Sequence, residues 1–253
     1  MSHRRRLSAA SIARLRDRFD HADATEVIGW AIQEFPGRRR AVVTGLQAEG
    51  VAIADMAMAI DPDVRVITID TWRLPEETLT YLDLLRTHWG RSIELLYPDP
   101  DDVAPFVATN GMNAFYSSVD QRLQCCHLRK VRPLRRALTE IDCWLSGLRR
   151  SHTAARSAIP AIELDVDNGG IVKLNPLHGW TPSQVRAYLT ERAIPMHPLY
   201  LRGYASIGCA PCTRAVEPGE DERAGRWWWE TEVDKECGIH GTPRRLRVVE
   251  IAS

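Results

Sequence analysis

The alternation of apolar and polar positions along the chain predicts short buried strands separated by amphipathic helices. Apolar residues recur at helical spacing over 7–19 and 23–35, which predicts a helix in each segment. Short apolar runs rich in β-branched residues predict strands at 41–45, 64–70 and 93–97. Because helical patterns separate these strands, we expect a mostly parallel sheet with helices on both faces.

The rest of the pattern extends this sheet and adds a hairpin. A helix is predicted over 50–60, and another begins at Pro75, since proline and the acids after it suit a first turn. A fourth strand is predicted at 143–147, and Asp-Asn-Gly-Gly at 167–170 predicts the turn of a hairpin. Thr-Pro-Ser-Gln at 181–184 is a capping box, so a helix is predicted after it.

After Gly203 the character of the chain changes, because glycine, proline and charged residues replace the periodic segments. We therefore predict an α/β nucleotide-binding domain over 1–204 and a partly ordered, mobile C-terminal tail over 205–253. Three consecutive tryptophans at 227–229 cannot all face a core, so at least one is expected to pack the tail against the body.

The composition limits the kinds of binding partner and the cellular compartment that we expect for this protein. The 253 residues contain 33 basic and 33 acidic side chains, and this zero net charge predicts neither a nucleic acid nor a membrane as partner. No apolar run approaches the roughly 20 residues of a membrane span. We expect a cytoplasmic protein with reduced cysteines, where metal binding or catalysis explains cysteine better than disulfides do.

Four of the six cysteines form two close pairs, Cys125 with Cys126 and Cys209 with Cys212. Neighbours on a helix diverge by about 100°, which suits the spread ligand positions of a 4Fe–4S cluster better than a single zinc ion. Two buried pairs without a metal are the alternative. Lys130 would lie beside such a cluster and offset its negative charge, unless it is an ordinary surface lysine.

The other two cysteines differ from each other. Cys143 lies inside an apolar strand, where a free thiol behaves as a small core residue. Cys237 stands alone in a polar segment with His240 three residues later. A neighbouring cation raises the thiolate fraction of a cysteine, so Cys237 is a candidate nucleophile.

Polar and basic residues follow the predicted strands at the edge where open α/β sheets bind ligands. Thr44 and Gly45 form the first loop, although an ordinary turn between strand and helix has the same features. Arg73 follows the second strand. Gly147 and Arg149 follow the fourth, where guanidinium groups suit an oxyanion. The tail adds two arginines three residues apart, Arg223 and Arg226.

Taken together, these segments resemble the assimilatory adenylylsulfate reductases. The matching segments are 70–78, 125–131, 147–150, 206–214, 218–230 and 235–240. The double cysteine and CxxC motif separates those enzymes from the phosphoadenylylsulfate reductases, which lack the cluster. Two departures stand out. Thr44 begins a loop in which the family usually has serines, and Trp72 stands where glycine is common.

The resemblance implies a fold, a cofactor and a reaction. The fold is the adenine-nucleotide α-hydrolase-like three-layer sandwich, and the cofactor is a 4Fe–4S cluster. A cysteine S-sulfonate forms on Cys237 as AMP leaves adenylylsulfate, and thioredoxin or a glutaredoxin-like dithiol then releases sulfite for cysteine biosynthesis. The implied cluster ligands are Cys125, Cys126, Cys209 and Cys212. The implied contacts of the phosphosulfate are Lys130, Arg223, Arg226 and His240, with Arg149 in a matching segment.

Three other functions fit parts of this pattern. An ATP pyrophosphatase-type enzyme that thiolates tRNA would share the fold and the cluster, but the chain lacks an SGGxDS-type loop, and its zero net charge argues against a large RNA footprint. A phosphoadenylylsulfate reductase would share the terminal cysteine. A non-catalytic nucleotide-binding module with a structural zinc would explain the four paired cysteines but not Cys237. The sequence leaves open the reductant and whether the chain forms a homo-oligomer.

Overall fold

A computed structural model describes residues 6–152, 156–231, 236, 238 and 239, and it contains a six-stranded sheet. The strand order is β3-β2-β1-β4-β6-β5, in which β5 and β6 pair antiparallel and every other pair is parallel. The strands are β1 (Arg40–Val43), β2 (Arg65–Ile69), β3 (Glu94–Leu96), β4 (Cys143–Leu145), β5 (Ile162–Asp165) and β6 (Ile171–Leu174). The predicted parallel sheet and its hairpin are confirmed.

Several of the helices within the described residues begin at a residue whose side chain caps the first turn. The hydroxyl of Ser8 and the carboxylate of Asp23 cap the first two, and Thr181 with Gln184 forms the expected capping box. The helices are α1 (Ala9–Phe19), α2 (Ala24–Glu34), α3 (Ala48–Ile60), α4 (Glu76–Trp89), α5 (Pro100–Asn110), α6 (Val119–Cys126), α7 (Arg132–Leu138) and α8 (Pro182–Glu191).

Alternate residues of the central strands pack against different helices, as expected for a three-layer sandwich. Val42 and Val66 belong to the larger core, which also contains apolar residues of α1 to α4 and α8. Ala41 and Ile67 point to a second core, where they pack with Leu134 and its neighbours on α7. The period of two along a strand thus divides the sheet between two helical layers.

A single turn of π-helix, His127–Val131, joins α6 to α7. Helical patterns run through this part of the sequence to about residue 138, and they do not distinguish the widened turn. The widened turn follows Cys126 directly and contains Lys130, so it sets where that side chain emerges. Such π turns are frequent at functional sites.

The first part of the predicted tail is packed against the body. Cys209, Cys212 and Trp227 are buried in a third apolar cluster together with residues of α5 and α6. Trp227 is 1% exposed and Trp228 is 49% exposed, which confirms that only some of the three tryptophans pack inward. The division at 204/205 stays a prediction. Among the described helices, none combines the length and the apolar character needed to cross a membrane.

Candidate functional site

The order of the strands creates a crevice between β1 and β4. From β1 the chain continues to β2 on one side, while β4 pairs with β1 on the other, and such a switch point is where open α/β sheets bind ligands. Thr44 and Gly147 follow these two strands at the carboxyl edge. A cavity of about 490 Å³ opens there, and we call it the crevice cavity.

The loop after β1 is shaped by close contacts rather than by serine hydroxyls. Leu46 adopts the left-handed conformation with φ of 58°, and its N–H donates to Oγ1 of Thr44 at 2.9 Å. A Cβ on Gly50 would lie 2.2 Å from the same oxygen, so only glycine fits there. The Thr44 hydroxyl is thus directed at its own loop. The side chain of Gln47 does not cap the start of α3, and the N–H of Ala48 donates to the Tyr200 hydroxyl at 3.0 Å instead.

Three cationic side chains of the crevice cavity were predicted as oxyanion contacts and lie together. Lys130, Arg223 and Arg226 line it. The Arg226 guanidinium lies 4.6 Å from the ring centroid of Trp227 and donates to the Ser206 hydroxyl at 3.4 Å. Arg223 and Arg226 come from a turn rather than a helix, and both stack on the same indole.

Arg149 also lines the crevice cavity, but acidic partners already surround it. Its guanidinium is 2% exposed and lies 2.8 Å from Glu49 and 3.4 Å from Glu222. Burial alone would raise the pKa of Glu49, but His152 and Arg149 outweigh it and lower that pKa to about 2. The carboxylates of Glu49 and Glu222 therefore offset the positive charge of Arg149, and this residue adds little net positive charge to the crevice cavity.

The four paired cysteines line a second, smaller cavity, which we call the cysteine cavity. Its wall also contains four cationic side chains, Arg73, Arg122, Arg129 and Lys130. Lys130 and Trp227 line both cavities, so they form the partition between them. Positive charge around four thiols suits a group that carries several thiolates.

Cys209 differs electrostatically from its neighbours. Burial would raise the pKa of its thiol. Three neighbours outweigh burial and lower that pKa: the charge of Lys130, the Thr71 hydroxyl at 3.2 Å, and the charge of Arg226. Burial and the proximity of Cys209 raise the pKa of Cys212 to about 12. Within the described residues, no group of three or more His, Cys, Asp or Glu side chains is placed to hold a metal ion.

The structure brings most of the predicted site residues to one place. Those that line the crevice cavity are Thr44, Gly45, Lys130, Gly147, Arg149, Arg223 and Arg226. Arg73 is elsewhere: it stacks on Phe115 at 5.1 Å and lines the cysteine cavity instead. Cys237 and His240 lie outside the described residues. Cys143 is fully buried in β4, as predicted for a core residue.

Sequence reasoning missed several charged residues of the site. Arg156, His152 and Glu236 line the crevice cavity, and Arg122 lines the cysteine cavity. His152 and Arg156 follow Arg149 closely in the chain, which was a usable signal. No signal in the sequence marked Arg122 or Glu236, because the residues that they contact are distant in sequence.

Comparison with known proteins identifies relatives of this chain. The sequence profile of the phosphoadenosine phosphosulfate reductase domain matches residues 40–215. An adenosine 5′-phosphosulfate reductase of Burkholderia cepacia is 45% identical over 199 residues, which span 79% of each chain. A second adenosine 5′-phosphosulfate reductase, from Allochromatium vinosum, is 44% identical over 78% of this chain and 77% of its own.

Solved structures agree at the level of the fold. The phosphoadenylyl-sulfate reductase of Candida auris, determined as a phosphate complex, superimposes with a TM-score of 0.71 at 29% identity, over 85% of this chain and all of its own. Yeast FAD synthetase in complex with FAD superimposes with a TM-score of 0.54 at 12% identity, over 91% of this chain and 85% of its own, which shows a shared fold alone. The family match, the curated relatives and the crevice at β1 and β4 agree, and the chain belongs to the phosphoadenosine phosphosulfate reductase family of oxidoreductases.

Proposed function

We propose that this protein reduces adenylylsulfate to sulfite and AMP in assimilatory sulfate reduction. The main observation that supports the proposal is that the crevice cavity and the cysteine cavity are neighbours, separated by shared side chains. Lys130 lines both the crevice cavity, with Arg223 and Arg226, and the cavity formed by the four paired cysteines. The curated relatives named above are adenosine 5′-phosphosulfate reductases.

The first step transfers a sulfonate group to the tail. The Cys237 thiolate attacks the sulfur of adenylylsulfate, the bond from sulfur to the bridging oxygen breaks, and AMP leaves with the electron pair. Charge develops on the phosphate oxygens as this bond breaks. Lys130, Arg223 and Arg226 stabilise that charge because they are already oriented in the crevice cavity.

The second step needs an external dithiol, for which thioredoxin or a glutaredoxin-like protein is the proposed source. One of its thiolates attacks the sulfur of Cys237, and sulfite leaves. Its second thiol then resolves the mixed disulfide and restores the Cys237 thiol. The dithiol supplies both electrons, so the tail carrying Cys237 has to present the adduct to a protein partner.

We further propose that Cys125, Cys126, Cys209 and Cys212 hold a 4Fe–4S cluster. Four thiols line one cavity with Arg73, Arg122, Arg129 and Lys130 around it, and this donor set and charge fit a cluster ligated by four thiolates. When bound, the cluster would supply a delocalised negative charge next to Lys130. A multi-iron cluster distributes its ligands over several irons, and this relaxes the convergence that one zinc ion requires.

The reaction can be tested by the covalent adduct it requires. Wild-type protein mixed with adenylylsulfate and no reductant should gain about 80 Da on the peptide that contains Cys237. The Cys237→Ser variant should form no adduct, while Cys143→Ser, a change at a buried core thiol, should still form it. An adduct that persists in Cys237→Ser would show that the nucleophile is another residue.

Substrate choice separates this proposal from a phosphoadenylylsulfate reductase. With one dithiol as reductant, kcat/KM should be higher for adenylylsulfate than for its 3′-phosphorylated form. The reverse order would assign the chain to the second activity.

The cluster has a test of its own. Anaerobically purified protein should contain about four irons and four sulfides per chain, and Cys209→Ser should lose them while Cys143→Ser keeps them. Stoichiometric zinc without iron would contradict the cluster and favour a structural zinc site.

A further inference from the structure

The hydroxyl of Tyr200 lies at the start of α3, although the two are far apart in the chain. The N–H of Ala48, the first residue of α3, donates to this hydroxyl oxygen at 3.0 Å, across 152 positions of sequence. Both residues line the crevice cavity. A tyrosine hydroxyl also has one proton of its own to donate. Among the residues that the structure describes, none accepts that proton, which leaves it for a ligand in the cavity.

The two polar side chains between β1 and α3 are directed at neighbouring backbone. The Thr44 hydroxyl binds the N–H of Leu46, and Thr44 is 4% exposed. The side-chain oxygen of Gln47 accepts from the N–H of Ile207 at 2.9 Å. Tyr200 therefore supplies, from a distant segment, a hydroxyl that this loop does not itself present to the cavity.

The Tyr200 hydroxyl keeps its proton at neutral pH. Burial raises its pKa and the negative charge of Glu49 raises it further, and together they outweigh the hydrogen bond from Ala48 and the charge of Arg149. A neutral hydroxyl can donate to an anion, whereas a phenolate would repel one. The N–H of Ala48 also polarises the hydroxyl by donating to its oxygen, and this makes the hydroxyl a stronger donor.

The ring of Tyr200 is held in place by a buried histidine. Tyr200 belongs to a short 3₁₀ helix, Pro198–Arg202, whose N-terminal cap is His197. The two rings meet edge-on with centroids 6.0 Å apart, and Nε2 of His197 lies 2.9 Å from the hydroxyl of Thr78 on α4. The Tyr200 hydroxyl is therefore oriented before a ligand binds, as a preorganised contact requires.

We propose that Tyr200 is a substrate-binding residue whose hydroxyl donates a hydrogen bond to the phosphate of adenylylsulfate. This rests on the proposed function, which places the nucleotide in the crevice cavity. The N–H of Ala48, the Tyr200 hydroxyl and the phosphate then form a chain of hydrogen bonds that extends the donor character of the start of α3 to the ligand. The hydroxyl adds a directional contact to the positive charge that Lys130, Arg223 and Arg226 supply.

The binding of AMP and of adenosine tests this contact, because the two ligands differ only in the phosphate. Tyr200→Phe keeps the aromatic ring and removes the hydroxyl. By isothermal titration calorimetry, the Kd of this variant for AMP should rise about 10- to 100-fold, the cost of a lost hydrogen bond to a charged group. Its Kd for adenosine should equal that of wild type.

Tyr81→Phe is the matched control. The Tyr81 hydroxyl donates to the carbonyl oxygen of Pro195 at 2.7 Å, and Tyr81 is not among the described residues that line the crevice cavity. Loss of this hydroxyl should leave the Kd for AMP unchanged. Thermal melts should show that both variants are folded.

The opposite result has a definite meaning. If the Tyr200 hydroxyl merely blocks the N–H of Ala48, Tyr200→Phe would free that N–H for the phosphate and tighten AMP binding. Tighter or unchanged AMP binding, or an equal loss for AMP and adenosine, would overturn the contact and leave the proposed function standing. Failure of the wild-type protein to bind AMP would overturn the proposed function as well.

Discussion

Gly208 determines where the guanidinium of Arg226 lies, and its replacement by alanine tests the role of that guanidinium. A Cβ built on Gly208 would lie 2.4 Å from Nη2 and 2.6 Å from Cζ of Arg226. The nearest atoms belong to the end of a flexible side chain rather than to backbone. Alanine should therefore be accommodated by displacement of Arg226, with the fold retained.

The size of the effect follows from this overlap. An ordinary contact begins at 3.4 Å, so the guanidinium has to move by roughly 1 Å from its place over Trp227. A misplacement of about 1 Å can cost about a hundredfold in rate when a group is positioned for a transition state. A lost charge-assisted hydrogen bond, at about 1.5–3 kcal/mol, corresponds to roughly one to two decades. From these two costs we expect kcat/KM for adenylylsulfate to fall about 10- to 100-fold in Gly208→Ala.

The assay is steady-state sulfite release with a saturating dithiol, together with a thermal melt. Gly179→Ala is the control, because a Cβ there meets nothing within 4 Å, and it should match wild type in both measurements. Gly208→Ala combined with Arg226→Ala should be no worse than Arg226→Ala alone, since both changes act on one group. Full activity in Gly208→Ala would refute the oxyanion role of Arg226.

Two further changes test the electrostatics of the site. The folded-state pKa of Glu49, about 2, lies below the ordinary value of 4.5, so its stabilisation is present above pH 4.5 and is lost as the pH falls towards 2. Glu49→Gln should therefore cost about 3 kcal/mol of unfolding free energy at pH 7 and close to nothing at pH 2, measured by urea denaturation, and an equal cost at both pH values would contradict this origin. Arg73→Ala should lower the iron content or change the absorbance spectrum while it leaves the KM for adenylylsulfate unchanged, because Arg73 lines only the cysteine cavity. A raised KM with normal iron content would instead indicate that Arg73 contacts the substrate.

The two departures from the family pattern have structural explanations. Trp72 adopts φ of 57°, a conformation that favours glycine, and its side chain is 46% exposed. The left-handed turn therefore persists although glycine is absent. Thr44 uses its hydroxyl to bind the N–H of Leu46, which explains how a loop without serines keeps a tight turn.

Local chemistry determined most of the fold before any tertiary information was needed. The strands β1 to β6, the hairpin of β5 and β6, and the capped start of α8 follow from apolar periodicity, Asp-Asn-Gly-Gly and a capping box. These signals act between residues close in sequence, so the chain alone carries them. The same holds for the candidate cysteines, because their spacing is visible without a structure.

The tertiary structure decided which charges are free to act and which are already paired. Arg149 and Arg226 look alike in sequence, but Arg149 is paired with Glu49 and Glu222, whereas Arg226 stacks on Trp227 beside Cys209. The anchoring of Glu236 by Arg122 and Arg156 joins residues that are 114 and 80 positions apart. No local pattern encodes such pairs, because electrostatic partners are set by distance in space and by burial, and both depend on how the whole chain packs.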